Sequence, residues 1–371
     1  MKKVIVSVIN DLSTDQRVDK VCTTLVSCGY DVLLIGRRKR DSNTLLPRNY
    51  LMERMNLLFE KEIFFYAEFN IRLFFLLLTR KVDLLVSNDL DTLLPNFIVS
   101  KIKKIPLIYD SHEYFTGVPE LEKNNFARKT WLKIEKYIFP KLKHVFTVNN
   151  SIAELYKKEY NVDVKVVRNI PRKREINIIK TKEELGLPVD KKILIYQGAG
   201  INVDRGVEEL IQSMQFINNT LLMIIGSGDV INELKKNVID FNLTEKVTFI
   251  NKLPYDQLIS YTSIADLGLT LDKDTNINYR FSLPNKIFDY IHAGIPILAS
   301  NLIEVRKVVE DYKVGEILDS HEPRYMAEKI NAMLENTEKL KEYKENSVKA
   351  AAILNWETES KELINVYMQY V

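Results

Sequence analysis

The feature that most restricts how this chain can fold is an alternation that runs through the sequence and starts twice. Short apolar or β-branched runs at residues 4–9, 31–35, 84–86, 107–109, 145–148 and 164–167 are separated by amphipathic stretches of helical period. The series resumes at residues 193–196, 222–225, 247–250, 267–271, 297–299 and 315–317. Parallel strands joined by crossover helices produce this pattern. In the first repeat of it, Ser13 and Gln16 form a capping-box signature, a helix runs to Ser27, Gly29 stops it, and the next strand follows at once. The segment RNIPRKR, residues 168–174, breaks the alternation and is the best linker. The expectation is an α/β protein of two Rossmann-like domains, residues 1–170 and 171–354, with a C-terminal helix at 355–371 rejoining the first. A length of 371 residues suits two such domains of roughly 100–200 residues each. Two open parallel sheets in tandem are expected to face one another across a cleft lined by the carboxyl ends of their strands, where ligands bind in such folds.

Charge and cysteine usage exclude several classes. Lys and Arg number 53 against 50 Asp and Glu, a net of +3, so no global field marks a nucleic-acid binder. Cys22 and Cys28 match no metal or redox spacing and read as plain thiols in a reducing compartment, which with a first strand in place of a signal peptide gives a cytoplasmic location. The most apolar window, residues 63–78, is shorter than the roughly 20 residues of a spanning helix and contains Glu68, Asn70 and Arg72. A half-buried helix packed on the sheet is the favoured reading. Peripheral contact with a membrane surface, helped by the basic clusters at 101–104 and 141–144, is the sharper one.

In the second domain the turn after residues 193–196 contains Gly198 and Gly200, followed by Arg205 at a helix start. Glycines let a backbone approach a ligand closely, a helix N-terminus attracts anions, and a guanidinium adds a fork of donors, so a diphosphate fits there. A tight turn followed by a solvent-facing Arg explains the same residues. Gly226, Ser227 and Gly228 repeat the device one strand later. The most specific segment is SLPNKIFDY at 282–290: Pro284 restricts the entry, Asn285 is a capping residue, and Lys286 places a cation in a first turn, where it is unfavourable without an anion. Asp289, one turn deeper, suits a ribose diol. A capped helix with solvated charges accounts for these residues equally well.

In the first domain Asp110, His112 and Glu113 follow a strand, and His112 is one of only four histidines. Thr14, Asp15 and Arg17 occupy the matching position after the first strand, where helix capping and an exposed ion pair also explain them. Asp89 and Asp91 form an Asp-x-Asp pair after another strand. That pair is discounted as a metal site, because Asp91 reads as a helix N-cap.

Together these segments resemble the family 4 retaining glycosyltransferases of GT-B fold, and among them a bacterial type that decorates surface polysaccharides such as capsule and lipopolysaccharide. The resemblance covers nearly the whole chain through DQRV at 15–18, NDLDTLLP at 88–95, YDSHE at 109–113, RNIP at 168–171, YQGAG with DRG over 196–206, GSGD at 226–229 and SLPNKIFDYIHAGIP at 282–296. It implies sugar transfer from a nucleoside diphosphate donor, UDP or GDP, to a glycan or lipid-linked glycan, with no cofactor and no metal. Arg205 and Lys286 would stabilise the diphosphate, Asp289 would hold the ribose, and His112 would reach the transferred sugar. Amides around Ser282, Leu283, Pro284 and Asn285 would cradle the distal phosphate, Leu253 would border the base, and Asp15, Arg17, Asp89, Asp110 and Glu113 would line the acceptor side. The family's paired glutamates are replaced here by Phe281 and Asp289, and Ala199 stands where an Arg is common. Two rival functions share the architecture: a sugar-nucleotide 2-epimerase, and a catalytically weak binding subunit of a polysaccharide assembly complex.

Overall fold

The computed structural model describes residues 1–13, 15–40, 42–118, 121, 124–173 and 180–371; Thr14 and the end of the linker segment, Arg174, fall outside them. The chain forms two compact units, one of residues 1–169, 276–278 and 359–371, the other of residues 170–275 and 279–358.

The first unit is built on a seven-stranded parallel sheet in the order β3-β2-β1-β4-β5-β6-β7. Its strands are β1 (Lys3–Ser7), β2 (Asp31–Arg38), β3 (Leu51–Asn56), β4 (Leu84–Asn88), β5 (Leu107–Ser111), β6 (His144–Thr147) and β7 (Val164–Val166). The helices between them are α1 (Gln16–Ser27), α2 (Glu62–Thr79), α3 (Leu90–Lys103), α4 (Asn125–Ile138) and α5 (Asn150–Tyr160). The sheet order reverses at β1, so α1 covers one face while the crossovers through α2, α3 and α4 all step in one direction and share the other. Consistent with this, α2 packs on α3 and α3 on α4.

Strand β3 escapes the sequence pattern. It lies at the sheet edge, leaves Leu51 exposed, carries Glu53 and Arg54, and buries only Met55, so it has no apolar run to detect. Two capping expectations are also corrected. Asp15, not Ser13, caps α1, accepting the Val18 amide at 3.1 Å. Asp91 is not the N-cap of α3, because the helix starts two residues earlier, at Leu90, and Asp89 takes that position.

The second unit has six parallel strands in the order β10-β9-β8-β11-β12-β13. These are β8 (Lys192–Gly198), β9 (Thr220–Gly226), β10 (Val247–Ile250), β11 (Leu267–Thr270), β12 (Ile297–Ser300) and β13 (Gly315–Leu318), accompanied by α6 (Val207–Ser213), α7 (Ile231–Asp240), α8 (Tyr255–Ser263), α9 (Asn285–Ala293), α10 (Ile303–Tyr312), α11 (Pro323–Glu335) and α12 (Thr337–Ala351). A last helix, α13 (Trp356–Tyr367), closes the chain. Leu194, Tyr196, Leu222 and Ile224 enter the core on one face, and Ile193, Ile195, Met223 and Ile225 the core on the other. Both faces are covered by helices, which is why these strands read as continuous apolar runs rather than alternating ones.

The two glycine-bearing turns of this unit have different reasons for their glycines. A Cβ on Gly228 would lie 2.0 Å from the Ile201 carbonyl oxygen, because the turn after β9 is stitched to the turn after β8 by Ser227 N–H to Gly198 O at 3.1 Å and Ile201 N–H to Ser227 O at 3.0 Å. A Cβ on Gly200 meets nothing closer than 3.9 Å. Gly228→Ala should therefore destabilise the second unit by roughly 3 kcal/mol, while Gly200→Ala changes its thermal unfolding by less than about 1 kcal/mol. Denaturation of both variants by circular dichroism checks the contrast.

Candidate functional site

In each unit the polar residues of interest stand at the carboxyl ends of the strands next to the reversal of sheet order, where an open α/β sheet forms its binding crevice. In the first unit the reversal lies between β1 and β4, and the residues follow β4 and its neighbour β5. Asp89 follows β4 with φ +58° and ψ 168°, a region that non-glycine residues rarely occupy and that holds only where surrounding bonds enforce it. Its N–H donates to the Asp110 carbonyl at 2.9 Å, and its carboxylate accepts the His112 amide at 2.8 Å. The same carboxylate lies 3.2 Å from Nδ1 of the His112 ring.

On the other side of that ring, Nε2 is 3.2 Å from Oδ1 of Asn88 and 3.5 Å from the Asp110 carboxylate. The Asn88 amide nitrogen is committed to the Ser7 carbonyl, so its oxygen is what faces the imidazole. Both ring nitrogens thus meet acceptors, and only the doubly protonated imidazolium satisfies both. Burial pushes the His112 pKa down, but the Asp89 charge and the Asp110 hydrogen bond overcome it and lift the value to about 9. Asp110 is itself held well below the usual carboxylate range: burial works against its charge, and Arg17 and His112 more than offset it.

Arg17 is buried, not an exposed member of a surface pair. Its guanidinium grips both oxygens of Asp110, at 2.6 and 3.1 Å, and donates to the Val167 carbonyl at 2.6 Å, tying α1 to β5 and to the end of β7. Asp15 is spent on its helix cap and accepts from Asn10. Glu113 is half-buried, its carbonyl accepting from Ser111 at 2.7 Å and from Tyr156. The sequence reading missed Asn88, whose amide carries no pattern of its own.

In the second unit the reversal lies between β8 and β11. Arg205, beyond β8, forms an ion pair with Asp272, beyond β11, and its guanidinium lies 4.1 Å from the centre of the Tyr279 ring. Lys286, in the first turn of α9, projects its ammonium to 3.8 Å from the centre of the Tyr196 ring. The Tyr196 hydroxyl in turn donates to the Arg205 carbonyl at 3.2 Å. The two cations predicted from sequence are therefore brought together around one carboxylate. Among the described residues Lys286 has no ion-pair partner. Burial and the neighbouring Arg205 charge lower its pKa to about 8, against the pull of Asp272.

Three buried polar atoms in this region lack a hydrogen-bond partner among the described residues: Nε of Arg205, Oδ1 of Asp272 and the Ser282 hydroxyl. The Ser282 amide is bonded to the Tyr279 carbonyl, under the Arg205 guanidinium. Asp289 accepts from Gln197 at 3.0 Å and from the Tyr255 hydroxyl at 3.1 Å, with Gln197 anchored by Thr262. Asn285 does not cap α9. Pro284 occupies the N-cap position, and Asn285 is exposed at the first helical residue. Leu283 and Leu253 pack on the core. Gly198 lies at the end of β8 and Gly226 at the end of β9, the latter with φ +142°. The sequence reading missed Asp272, although its place just past a strand end is the signal used for the others.

Two family models tile the chain, one described as Glycosyltransferase Family 4 over residues 15–172 and one as Glycosyl transferases group 1 over residues 177–350. The chain belongs to the family 4 glycosyltransferases. An uncharacterized glycosyltransferase of Methanocaldococcus jannaschii is 24% identical over 238 residues, 60% of this chain and 59% of its own length. A D-inositol 3-phosphate glycosyltransferase of Xylanimonas cellulosilytica is 20% identical over 198 residues, 51% of this chain and 45% of its own. The matched stretch is thus less than two thirds of either relative. Among solved structures, sucrose-phosphate synthase of Thermosynechococcus elongatus superposes with a TM-score of 0.80 at 16% identity, covering 100% of this chain and 99% of that one. HepE of Anabaena, solved with UDP-glucose, gives 0.75 at 16% identity with both chains fully covered. WaaG, a glycosyltransferase involved in lipopolysaccharide biosynthesis, gives 0.73 at 13%, covering 98% and 99%. These likenesses establish the GT-B fold of this family 4 glycosyltransferase.

Among its described residues no three or more His, Cys, Asp or Glu side chains are grouped to hold a metal ion, and no helix is long and apolar enough to cross a membrane. The imidazolium of His112 is a direct test of the first-unit cluster. Its folded pKa is raised, so the stability it contributes is fully present below its unfolded value near 6.5 and is lost as pH rises through about 9. Nitrogen NMR should show His112 titrating near 9, and Asp89→Asn should bring that midpoint down by more than one pH unit.

Proposed function

We propose that this glycosyltransferase moves a sugar from a nucleoside diphosphate donor, UDP- or GDP-linked, to a hydroxyl of a growing surface glycan, with retention of anomeric configuration and without a metal. The reading rests on one observation. Arg205 and Lys286 set two positive charges against the single negative charge of Asp272, and the surplus cation is half-buried with its pKa depressed. A diphosphate supplies the missing negative charge. The unpartnered Arg205 Nε and Ser282 hydroxyl supply donors beside it.

In the transfer step the bond between the anomeric carbon and the diphosphate oxygen breaks, and the acceptor oxygen bonds to that carbon on the same face. The acceptor's proton passes to the departing phosphate oxygen. Arg205 and Lys286 stabilise the charge that grows on the leaving diphosphate, which is preorganised electrostatic catalysis. His112, held as an imidazolium with both N–H groups engaged, is a fixed cation and not a general base. Asp289, oriented by the bonds it accepts from Gln197 and Tyr255, is the carboxylate assigned to the ribose diol. The relative solved with UDP-glucose and the one named for lipopolysaccharide biosynthesis support the donor and acceptor classes. Cys22 and Cys28 are both unpaired, in keeping with work on the cytoplasmic side.

The sign of the pH dependence follows from Lys286. Above about 8 the free enzyme loses this proton, so UDP or GDP affinity should fall by up to tenfold per pH unit, although the same deprotonation adds to fold stability. Calorimetric titration should show that slope in the native protein and a flat, roughly 10- to 100-fold weaker profile in Lys286→Gln. Arg205→Ala should lower kcat by about 10²- to 10³-fold with the fold intact. Proton NMR of the product must show the donor's anomeric configuration. An inverted product, or a donor epimerised in the absence of acceptor, rejects the proposal.

A further inference from the structure

The outer face of the first unit's α2–α3–α4 layer carries a surface that the transfer reading does not use. Helix α2 buries one narrow seam, Phe65, Phe69, Leu73 and Leu77. On its other side Phe64, Ile71 and Phe75 are 63%, 58% and 58% exposed, and steps of seven and four residues line them up along one stripe. The adjacent α3 exposes Ile98 and Ile102 one turn apart, and α4 exposes Phe126 and Tyr137. An apolar surface of this extent calls for a cover.

The two basic clusters at 101–104 and 141–144, far apart in sequence, converge beside this stripe. Lys101, Lys141 and Lys143 ring a hollow of about 150 Å³ walled by Phe97, Pro106, Leu107, Leu142 and Tyr370. It opens at the amino-terminal ends of β5 and β6, the opposite end of those strands from His112. A second hollow, of about 360 Å³, lies along α4 between Phe126, Leu132 and the lysines Lys129, Lys133 and Lys136. Tyr137 bridges the two: its ring meets Phe97 edge-on at 6.3 Å, and the Lys141 ammonium lies 2.9 Å from its centre. None of these six lysines has an ion-pair partner among the described residues.

We propose that this face docks on an anionic lipid bilayer, with the aromatic and aliphatic side chains entering the interfacial zone and the lysines meeting headgroup phosphates. The interleaving of the two kinds of group decides the occupant. A free phosphate has no use for the apolar walls, and a second copy of the chain packed symmetrically would set lysines against lysines. A charged bilayer surface matches both the exposed hydrocarbon and the positive charge over a helical layer that lies flat on it.

Cosedimentation of the full chain with phosphatidylcholine vesicles, with and without phosphatidylglycerol, tests the docking. Native protein is expected to partition onto the anionic vesicles and to stay in solution with the zwitterionic ones. The triple variant Lys101→Gln, Lys141→Gln, Lys143→Gln should bind on the order of 100-fold more weakly. The double variant Phe64→Ser, Phe75→Ser should weaken binding by about 10-fold or more, and both should keep the native unfolding midpoint and the native thermal shift with UDP. Native protein left in the supernatant with anionic vesicles overturns the proposal, as do variants that partition like native protein. So does a solution dimer that Phe75→Glu dissociates, which would assign the face to a second copy. An intact UDP response alongside any of these separates the failure of docking from a failure of the transfer reading.

Discussion

A half-buried ammonium with no ion-pair partner among the described residues sets the electrostatics of the second unit's strand ends. Moving the Lys286 pKa from 10.5 to about 8 means that the charged form is disfavoured there by on the order of 3 kcal/mol relative to water. The fold tolerates this because the ring of Tyr196 offers a cation–π contact and because Asp272, already paired with Arg205, softens the repulsion between the two cations. A side chain kept in such a position gains most when an anion arrives. The unfavourable energy of the empty state is thereby returned on binding.

The scaffold around that cation is rigid for simple geometric reasons. Both faces of the β8–β9–β11 region are packed with aliphatic side chains, and the turns after β8 and β9 are bonded backbone to backbone. Gly206, at φ +72°, lets α6 start where a Cβ would strike the Leu271 carbonyl oxygen at 2.2 Å. The same contact sets the chain just ahead of Asp272. Arg205 and its carboxylate are therefore positioned by the same close approach.

The first unit solves a similar problem with the opposite sign of economy. There the charges are balanced internally: Arg17 neutralises Asp110, and Asp89 neutralises His112. The strained backbone of Asp89 is held by its bond to the Asp110 carbonyl and fixes the imidazolium with both protons in place. What this cluster offers is a cation of fixed position and protonation, stable through neutral pH.

By itself the sequence determined the doubled α/β architecture and most strands, and it singled out Arg205 and Lys286, because apolar periodicity and a cation in a helix's first turn are local signals. It misread Arg17, Asn285 and Asp91, and overlooked β3, Asn88 and Asp272, because burial, capping geometry and partner choice depend on chain segments distant in sequence. Arg17 is an interior residue only because Asp110, 93 positions away, receives it. The two lysine clusters likewise become one surface only when β5 and β6 lie side by side. Local propensity is written residue by residue, whereas electrostatic pairing falls off with distance in space, which only the tertiary fold sets.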